Sequence, residues 1–139
     1  MIRSSLPDGK EATIKLLRIG LDRGDFVLAE TVIDRAIEMG EHELGAHEPL
    51  VSDLLNDKCM MMVEWGLADR AVVFCRRALE ARETAYGTDD PRVATTLNNL
   101  GNALRRAGRS DEAAAVAERV LKMRRRLLGP DHPRVATAL

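Results

Sequence analysis

The sequence predicts an all-α fold made of repeated pairs of antiparallel helices. The main observation is a register of 42 residues, in which proline recurs at Pro7, Pro49, Pro91 and Pro133. Glycine follows the same register in two series, which are Gly24, Gly66 and Gly108, and Gly45, Gly87 and Gly129. A fixed period of this length is typical of repeat architectures. Aromatic residues make up only 3% of the chain, so small aliphatic side chains must form the core, as suits closely packed helices.

The third repeat shows the elements most clearly. Asp90 before Pro91 predicts a helix start, because an N-cap carboxylate followed by proline satisfies the first turn. Apolar residues then recur at helical spacing until Gly108, which predicts the helix end. Ser110 is predicted to cap a second, longer helix that continues to Gly129. Each repeat therefore reads as a helix, a tight turn, a longer helix and a proline-containing linker.

This register divides the chain into repeats and predicts one domain over residues 1–139. The repeats span residues 7–44, 45–86 and 87–128, and a partial fourth covers 129–139. The first repeat diverges from the others, as capping repeats do. The fourth stops early in its first helix, so we expect either a fragment of a longer array or an end-to-end homodimer that covers this end.

Charge and hydropathy exclude several classes of function. The net charge is −1, which gives no bulk attraction to nucleic acid or to a membrane surface. No segment is apolar enough to span a membrane, and the first residues lack a signal-peptide pattern. The charge is uneven, with an acidic part before residue 98 and a basic part after it. We therefore expect a cytoplasmic protein whose basic end can meet an acidic partner or a second copy.

Cysteine and histidine offer little support for chemistry. Cys59 and Cys75 lack the spacing of a zinc site or a disulfide framework, so we expect two buried small side chains. His42 and His47 are separated by a predicted helix stop at Gly45, which favours linker capping over a metal site. We find no phosphate-binding loop and no nucleophile with an activating base. The sequence thus predicts no enzyme, no cofactor and no metal.

The segment LNNLGNALRRAGRSDEA (97–113) resembles a tetratricopeptide repeat. Leu100 and Gly101 match the family's Leu-Gly pair, Gly108 matches its turn, and Ala113 matches the small residue of its second helix. The 42-residue period and the linkers of the form G-x-D-x-P-x-V-A-x-x-L are similar to the kinesin light chain variety. The resemblance is weaker in the second repeat, where Lys58 and Cys59 replace Leu-Gly, and weakest in the first.

This resemblance implies a right-handed α-solenoid whose first helices line a concave, peptide-binding face. The residues on that face, off the apolar stripe, would be Asn99, Asn102, Arg105 and Arg106 in the third repeat and Asn56 and Met60 in the second. Asparagine amides suit the backbone of an extended peptide, and arginine suits a carboxylate. We expect a non-catalytic scaffold that binds a protein or peptide partner with acidic residues. The alternative is a regulatory array within a larger signalling ATPase or protease.

Overall fold

The computed structural model describes residues 15, 18, 19 and 22–129, and this part of the chain is all-α. Five helices follow one another along it: α1 (Phe26–Leu44), α2 (Pro49–Glu64), α3 (Ala68–Tyr86), α4 (Pro91–Arg106) and α5 (Ser110–Leu128). Of the predicted first helix of repeat one, the described residues Lys15, Arg18, Ile19 and Asp22 are helical. The predicted start of a fourth repeat lies outside the described residues, apart from Gly129.

The glycine register marks every helix end that the sequence predicted. Gly24, Gly45, Gly66, Gly87, Gly108 and Gly129 all have positive φ values, and no other described residue does. At Gly108 the φ of 78° brings the amide of Arg109 to 2.8 Å from the carbonyl of Leu104. A side chain with a Cβ would be strained in this conformation, so the turn requires glycine.

The start of α4 is confirmed as predicted, whereas that of α5 is not. The Asp90 carboxylate accepts a hydrogen bond from the amide of Arg92 at 2.8 Å and another from its guanidinium. This guanidinium holds the pKa of Asp90 well below its usual range, at about 2. In α5, Ser110 is the first helical residue rather than the cap, which is Arg109 and makes no side-chain capping bond. Our assignment of Ser110 was therefore wrong by one residue.

Packing of the helices shows which side of the array is the inner one. Sequential helices pack against each other from α1 to α5, and α2 also contacts α4 directly. The second helices of the repeats are instead bridged by long side chains: Arg77 of α3 to Glu41 of α1, and Arg119 of α5 to Glu83 of α3, at 3.1 Å each. The first helices therefore lie closer together, on the inner side of the curve.

The core between the helix pairs is built from small and aliphatic residues, as the composition predicted. Leu97, Leu100 and Leu104 of α4 are at most 2% exposed. Ala113 and Val120 of α5 belong to the same core clusters as these leucines. At Gly101 an added Cβ would lie 3.5 Å from Val116, so the backbone of α4 packs closely against α5 at the Leu-Gly pair.

Cys59 and Cys75 form a disulfide, which corrects the prediction of two unpaired thiols. Both residues are fully buried, as expected, and their Cα atoms are 5.0 Å apart. Cys59 lies 42 positions before Gly101, so it takes the small-residue position at which the two helices of a repeat come together. That approach brings the Cα atoms within the range a disulfide needs. The bond joins α2 to α3.

Candidate functional site

A groove between α2 and α4 lies on the inner side of the array. Its cavity has a volume of about 190 Å³ and is open to solvent. The groove is lined by Met60, Val63, Glu64, Asn99, Asn102 and Arg106. Four of the six residues predicted for the peptide-binding face therefore line a single groove that spans the second and third repeats.

The floor of the groove is held by a bond between two asparagine side chains. The Nδ2 of Asn99 donates to the Oδ1 of Asn56 at 2.9 Å, which links α4 to α2. Asn56 is only 6% exposed and its own Nδ2 faces the sulfur of Met60 at 3.8 Å. Asn56 thus supports the groove from below, while Asn99 and Asn102 are half-buried at its surface. Ligand contact is expected from the latter two.

The predicted arginines differ in their placement. Arg106 lines the groove and is exposed. Arg105 is exposed too, but it is not among the lining residues, and its Nη1 lies near Gly101 on the side that faces α5. Met60 is 44% exposed at the groove, an apolar contact that a hydrophobic ligand side chain can cover. The groove therefore combines amides, the apolar side chains of Met60 and Val63, and one cation.

Glu64 gives the groove an acidic group as well. It occupies the position 42 residues before Arg106, so the two repeats present opposite charges at the same register. Both side chains are exposed and line the groove. A ligand carboxylate is thus attracted towards Arg106 and repelled by Glu64, which assigns opposite charge preferences to the two sides of the groove.

Sequence reasoning missed the buried polar side chains behind the groove. Arg82 of α3 is 8% exposed and donates to Asp53 of α2 and to Thr96 of α4, at 2.8 Å each. It also donates to the carbonyl of Arg92 at 3.2 Å. Thr96 is fully buried, with its hydroxyl 3.4 Å from the Oδ1 of Asn56. An arginine on the apolar side of a second helix was the only sequence signal for this network.

The other candidate sites carry less chemistry. Within the described ranges, no three histidine, cysteine, aspartate or glutamate side chains are placed to hold a metal ion. His47 lies in the linker between α1 and α2, and its Nε2 is 3.9 Å from a carboxylate oxygen of Glu80 in α3. A second cavity, of about 480 Å³, opens beside Phe26 and Trp65, whose ring centroids are 4.5 Å apart. No helix among the described residues is long and apolar enough to cross a membrane.

Comparison with known proteins agrees with the helical architecture. The tetratricopeptide repeat family matches residues 93–134 in sequence. No curated protein sequence matches the chain significantly. The fold is similar to that of BtubC (BKLC) from P. vanneervenii, with 28% identity, a TM-score of 0.76, and coverage of 87% of this chain and 48% of that one.

Two further structures share the fold at lower identity. A putative kinesin light chain from Podosopora anserina with nearly identical TPR-like repeats matches with a TM-score of 0.79 at 15% identity, over 98% of this chain and 64% of that one. The N-terminal domain of stress-induced protein-1 (STI-1) from C. elegans matches with a TM-score of 0.72 at 20% identity, over 97% and 94%. The chain spans about half the length of BtubC, at 48%, and 64% of the Podosopora protein. The predicted solenoid of antiparallel helix pairs is confirmed.

Proposed function

We propose that this chain is a tetratricopeptide repeat protein of the kinesin light chain type, and that it is a non-catalytic scaffold that binds an extended peptide segment of a partner protein on its concave face. Repeats of this family generally mediate interactions between proteins. The observation that carries the proposal is the groove between α2 and α4, where Asn99 and Asn102 lie beside Met60 and Arg106.

The groove suits an extended peptide because its polar groups can complement peptide backbone groups. Asn99 and Asn102 lie three residues apart on α4, so both amides face the same side. An amide offers both a donor and an acceptor, which an unpaired backbone segment requires. Met60 supplies an apolar contact for an intervening side chain. Such a ligand gains hydrogen bonds from its backbone and specificity from its side chains.

We infer that the ligand carries an acidic residue on the Arg106 side of the groove. The guanidinium of Arg106, which is exposed and lines the groove, can hold a carboxylate with two hydrogen bonds. Glu64 opposes a carboxylate on the other side. Binding of an acidic peptide therefore depends on its orientation along the groove.

The experiment is a selection of displayed random peptides on the wild-type protein, followed by affinity measurements with fluorescently labelled peptides. We expect acidic peptides to be enriched and Asn99→Ala/Asn102→Ala to weaken them about tenfold or more, because each lost hydrogen bond costs about 1 kcal/mol. Glu64→Gln should strengthen the binding of acidic peptides.

Arg77→Ala is the matched control, because Arg77 pairs with Glu41 between second helices and lies outside the groove. Equal affinity for the wild type and the double asparagine variant would refute the groove assignment.

The remaining parts of the proposal concern assembly and location. We propose binding of a protein rather than of nucleic acid or membrane, with end-to-end association of two copies as a further contact. We also propose a cytoplasmic location, against which the Cys59–Cys75 bond weighs, because cytosolic disulfides are rare. The alternative, a regulatory array within a larger signalling ATPase or protease, would be favoured by a catalytic domain in the same open reading frame.

A further inference from the structure

The buried Arg82 is more than a link between repeats, because it determines how the amides of the groove are oriented. A guanidinium can only donate hydrogen bonds. Arg82 donates from Nη1 to the hydroxyl of Thr96 at 2.8 Å and to the carbonyl of Arg92 at 3.2 Å. Its Nη2 donates to Asp53 at 2.8 Å, and this ion pair holds the guanidinium in place.

These donations compete for one of the two acceptors that the hydroxyl hydrogen of Thr96 can reach. The hydroxyl is placed to donate to the Arg92 carbonyl at 3.1 Å and to the Oδ1 of Asn56 at 3.4 Å. The Arg92 carbonyl has two lone pairs, and these already accept from Arg82 and from the backbone amide four residues along α4. Because these two donors already occupy the Arg92 carbonyl, Arg82 shifts the Thr96 hydrogen towards the Oδ1 of Asn56, which faces α4 as the acceptor.

The orientation of Asn56 then sets that of Asn99. Because the Oδ1 of Asn56 faces α4, Asn99 must donate to it from Nδ2, at 2.9 Å. The carbonyl oxygen of Asn99 takes no part in this network, and Asn99 lines the groove. Without Arg82, Thr96 could return its hydrogen to the Arg92 carbonyl and accept from Asn56, and both amides could turn over. The groove would then present the Asn99 amide as a donor instead.

We propose that Arg82 is a positioning residue, which through Thr96 and Asn56 fixes the carbonyl oxygen of Asn99 as a hydrogen-bond acceptor for ligand N–H groups. This inference rests on the proposed peptide-binding function for its purpose. The orientation itself is a property of the free protein, so it can be tested without any ligand.

The test is a double-mutant cycle on unfolding by urea. An aspartate at position 99 has no hydrogen to donate. Asn99→Asp therefore places a carboxylate oxygen against the Oδ1 of Asn56, so that two acceptors face each other, and it should lower the folding equilibrium constant about tenfold. In the Arg82→Met background Asn56 can turn over and donate, so the same change should cost no more than about twofold. Direct attraction between the positive Arg82 and the new carboxylate would give the opposite sign, with the greater loss in Arg82→Met. Additive effects, or that opposite sign, would overturn the proposal.

Two further variants separate orientation from general damage. Thr96→Val breaks the same relay without changing a charge, and it should also reduce the cost of Asn99→Asp; it serves in place of Arg82→Met if that variant does not fold. Arg77→Met removes a cation of the same helix, α3, whose partner Glu41 is outside the network. It should leave the cost of Asn99→Asp unchanged.

Measurements of peptide binding by the same variants distinguish this proposal from the proposed function. With an acidic peptide obtained by selection, Arg82→Met and Thr96→Val should each weaken binding about tenfold, as loss of a preorganised hydrogen bond does. Unchanged affinity would overturn the role of the orientation in binding. A coupled cycle in a protein to which no peptide binds would uphold the orientation and reject the peptide-binding function alone.

Discussion

Lys58 shows how one residue can depart from the repeat pattern and still be accommodated. It takes the position of Leu100 in the next repeat, and it is 3% exposed. Its ammonium pairs with Asp34 of α1 and lies 4.0 Å from the ring centroid of Phe74 in α3. A buried cation is tolerated only where such partners replace its hydration. The polar contact thus links the first two repeats where leucine would provide only packing.

We predict that the two partners of this pair respond differently to mutation. Asp34→Ala leaves the buried ammonium without its carboxylate, and it should lower the free energy of unfolding by about 1–3 kcal/mol. Lys58→Leu removes the charge and restores the side chain that the third repeat has, so it should be neutral or stabilising. Unfolding in urea measures both. In the Lys58→Leu background, Asp34→Ala should have little effect; a cost as large as in the wild type would mean that Asp34 acts through another contact.

At the scale of the helices, local signals were predictable and contacts between repeats were not. The proline and glycine positions predicted the helix boundaries because each of these residues is selected by the local backbone conformation. All six register glycines, for example, have a positive φ. The groove residues Asn102, Arg106 and Met60 followed from the resemblance to tetratricopeptide repeats, which assigns the concave face to the first helices. Arg82 was missed because its role depends on Asp53 and Thr96, which lie 29 and 14 residues away. No local pattern reports such a contact.

The disulfide is an intermediate case, because the register contains the information that the spacing alone does not. Cys59 and Cys75 are the counterparts of Gly101 and Ala117 in the third repeat. Gly101 marks a close contact between the two helices of its repeat, because an added Cβ there would lie 3.5 Å from Val116. Comparison of the two repeats therefore places Cys59 at a helix contact, whereas the cysteine spacing alone had argued against both a zinc site and a disulfide framework. The lesson is that register outweighs motif in this chain.

We predict that the Cys59–Cys75 bond stabilises the pairing of α2 with α3. A disulfide that closes a loop of 16 residues is worth up to about 3 kcal/mol through restriction of the unfolded chain. Unfolding with and without dithiothreitol measures this term, and the reduced protein should melt at a lower temperature. Because both cysteines are fully buried, reduction under native conditions should be slow.

The control for the reductant is Cys59→Ala/Cys75→Ala, which should melt at the same temperature under both conditions and below the oxidised wild type. Thiol alkylation followed by mass measurement establishes the redox state of each sample. A fully reduced wild type that melts with the oxidised one would show that the bond adds nothing to stability. Under that outcome the packing of the two helices alone would hold the second repeat together.

At the scale of the whole molecule, charged pairs between second helices form a ladder in the same register as the fold. Glu41 pairs with Arg77, and 42 positions later Glu83 pairs with Arg119. The next carboxylate of the ladder would be at position 125, which is Arg125. In an end-to-end assembly of two copies that continues the register, Arg35 of the second copy would meet this arginine, because Arg35 is the counterpart of Arg77 and Arg119. The ladder therefore keeps the proposed end-to-end association of the wild type weak, because it places like charges together.

We predict that Arg125→Glu strengthens end-to-end association, because it supplies the carboxylate that the ladder lacks at that position. One exposed pair is worth at most about 1 kcal/mol, or about a fivefold change in the dissociation constant. Salt should affect the two proteins in opposite directions, since it screens repulsion in the wild type and attraction in the variant. Sedimentation at low and high salt measures both effects.

Two further variants serve as controls. Arg35→Glu should act like Arg125→Glu, while the double variant Arg35→Glu/Arg125→Glu should return to weak association, because it again places like charges together. If the single variants associate no more than the wild type, copies do not meet through this register.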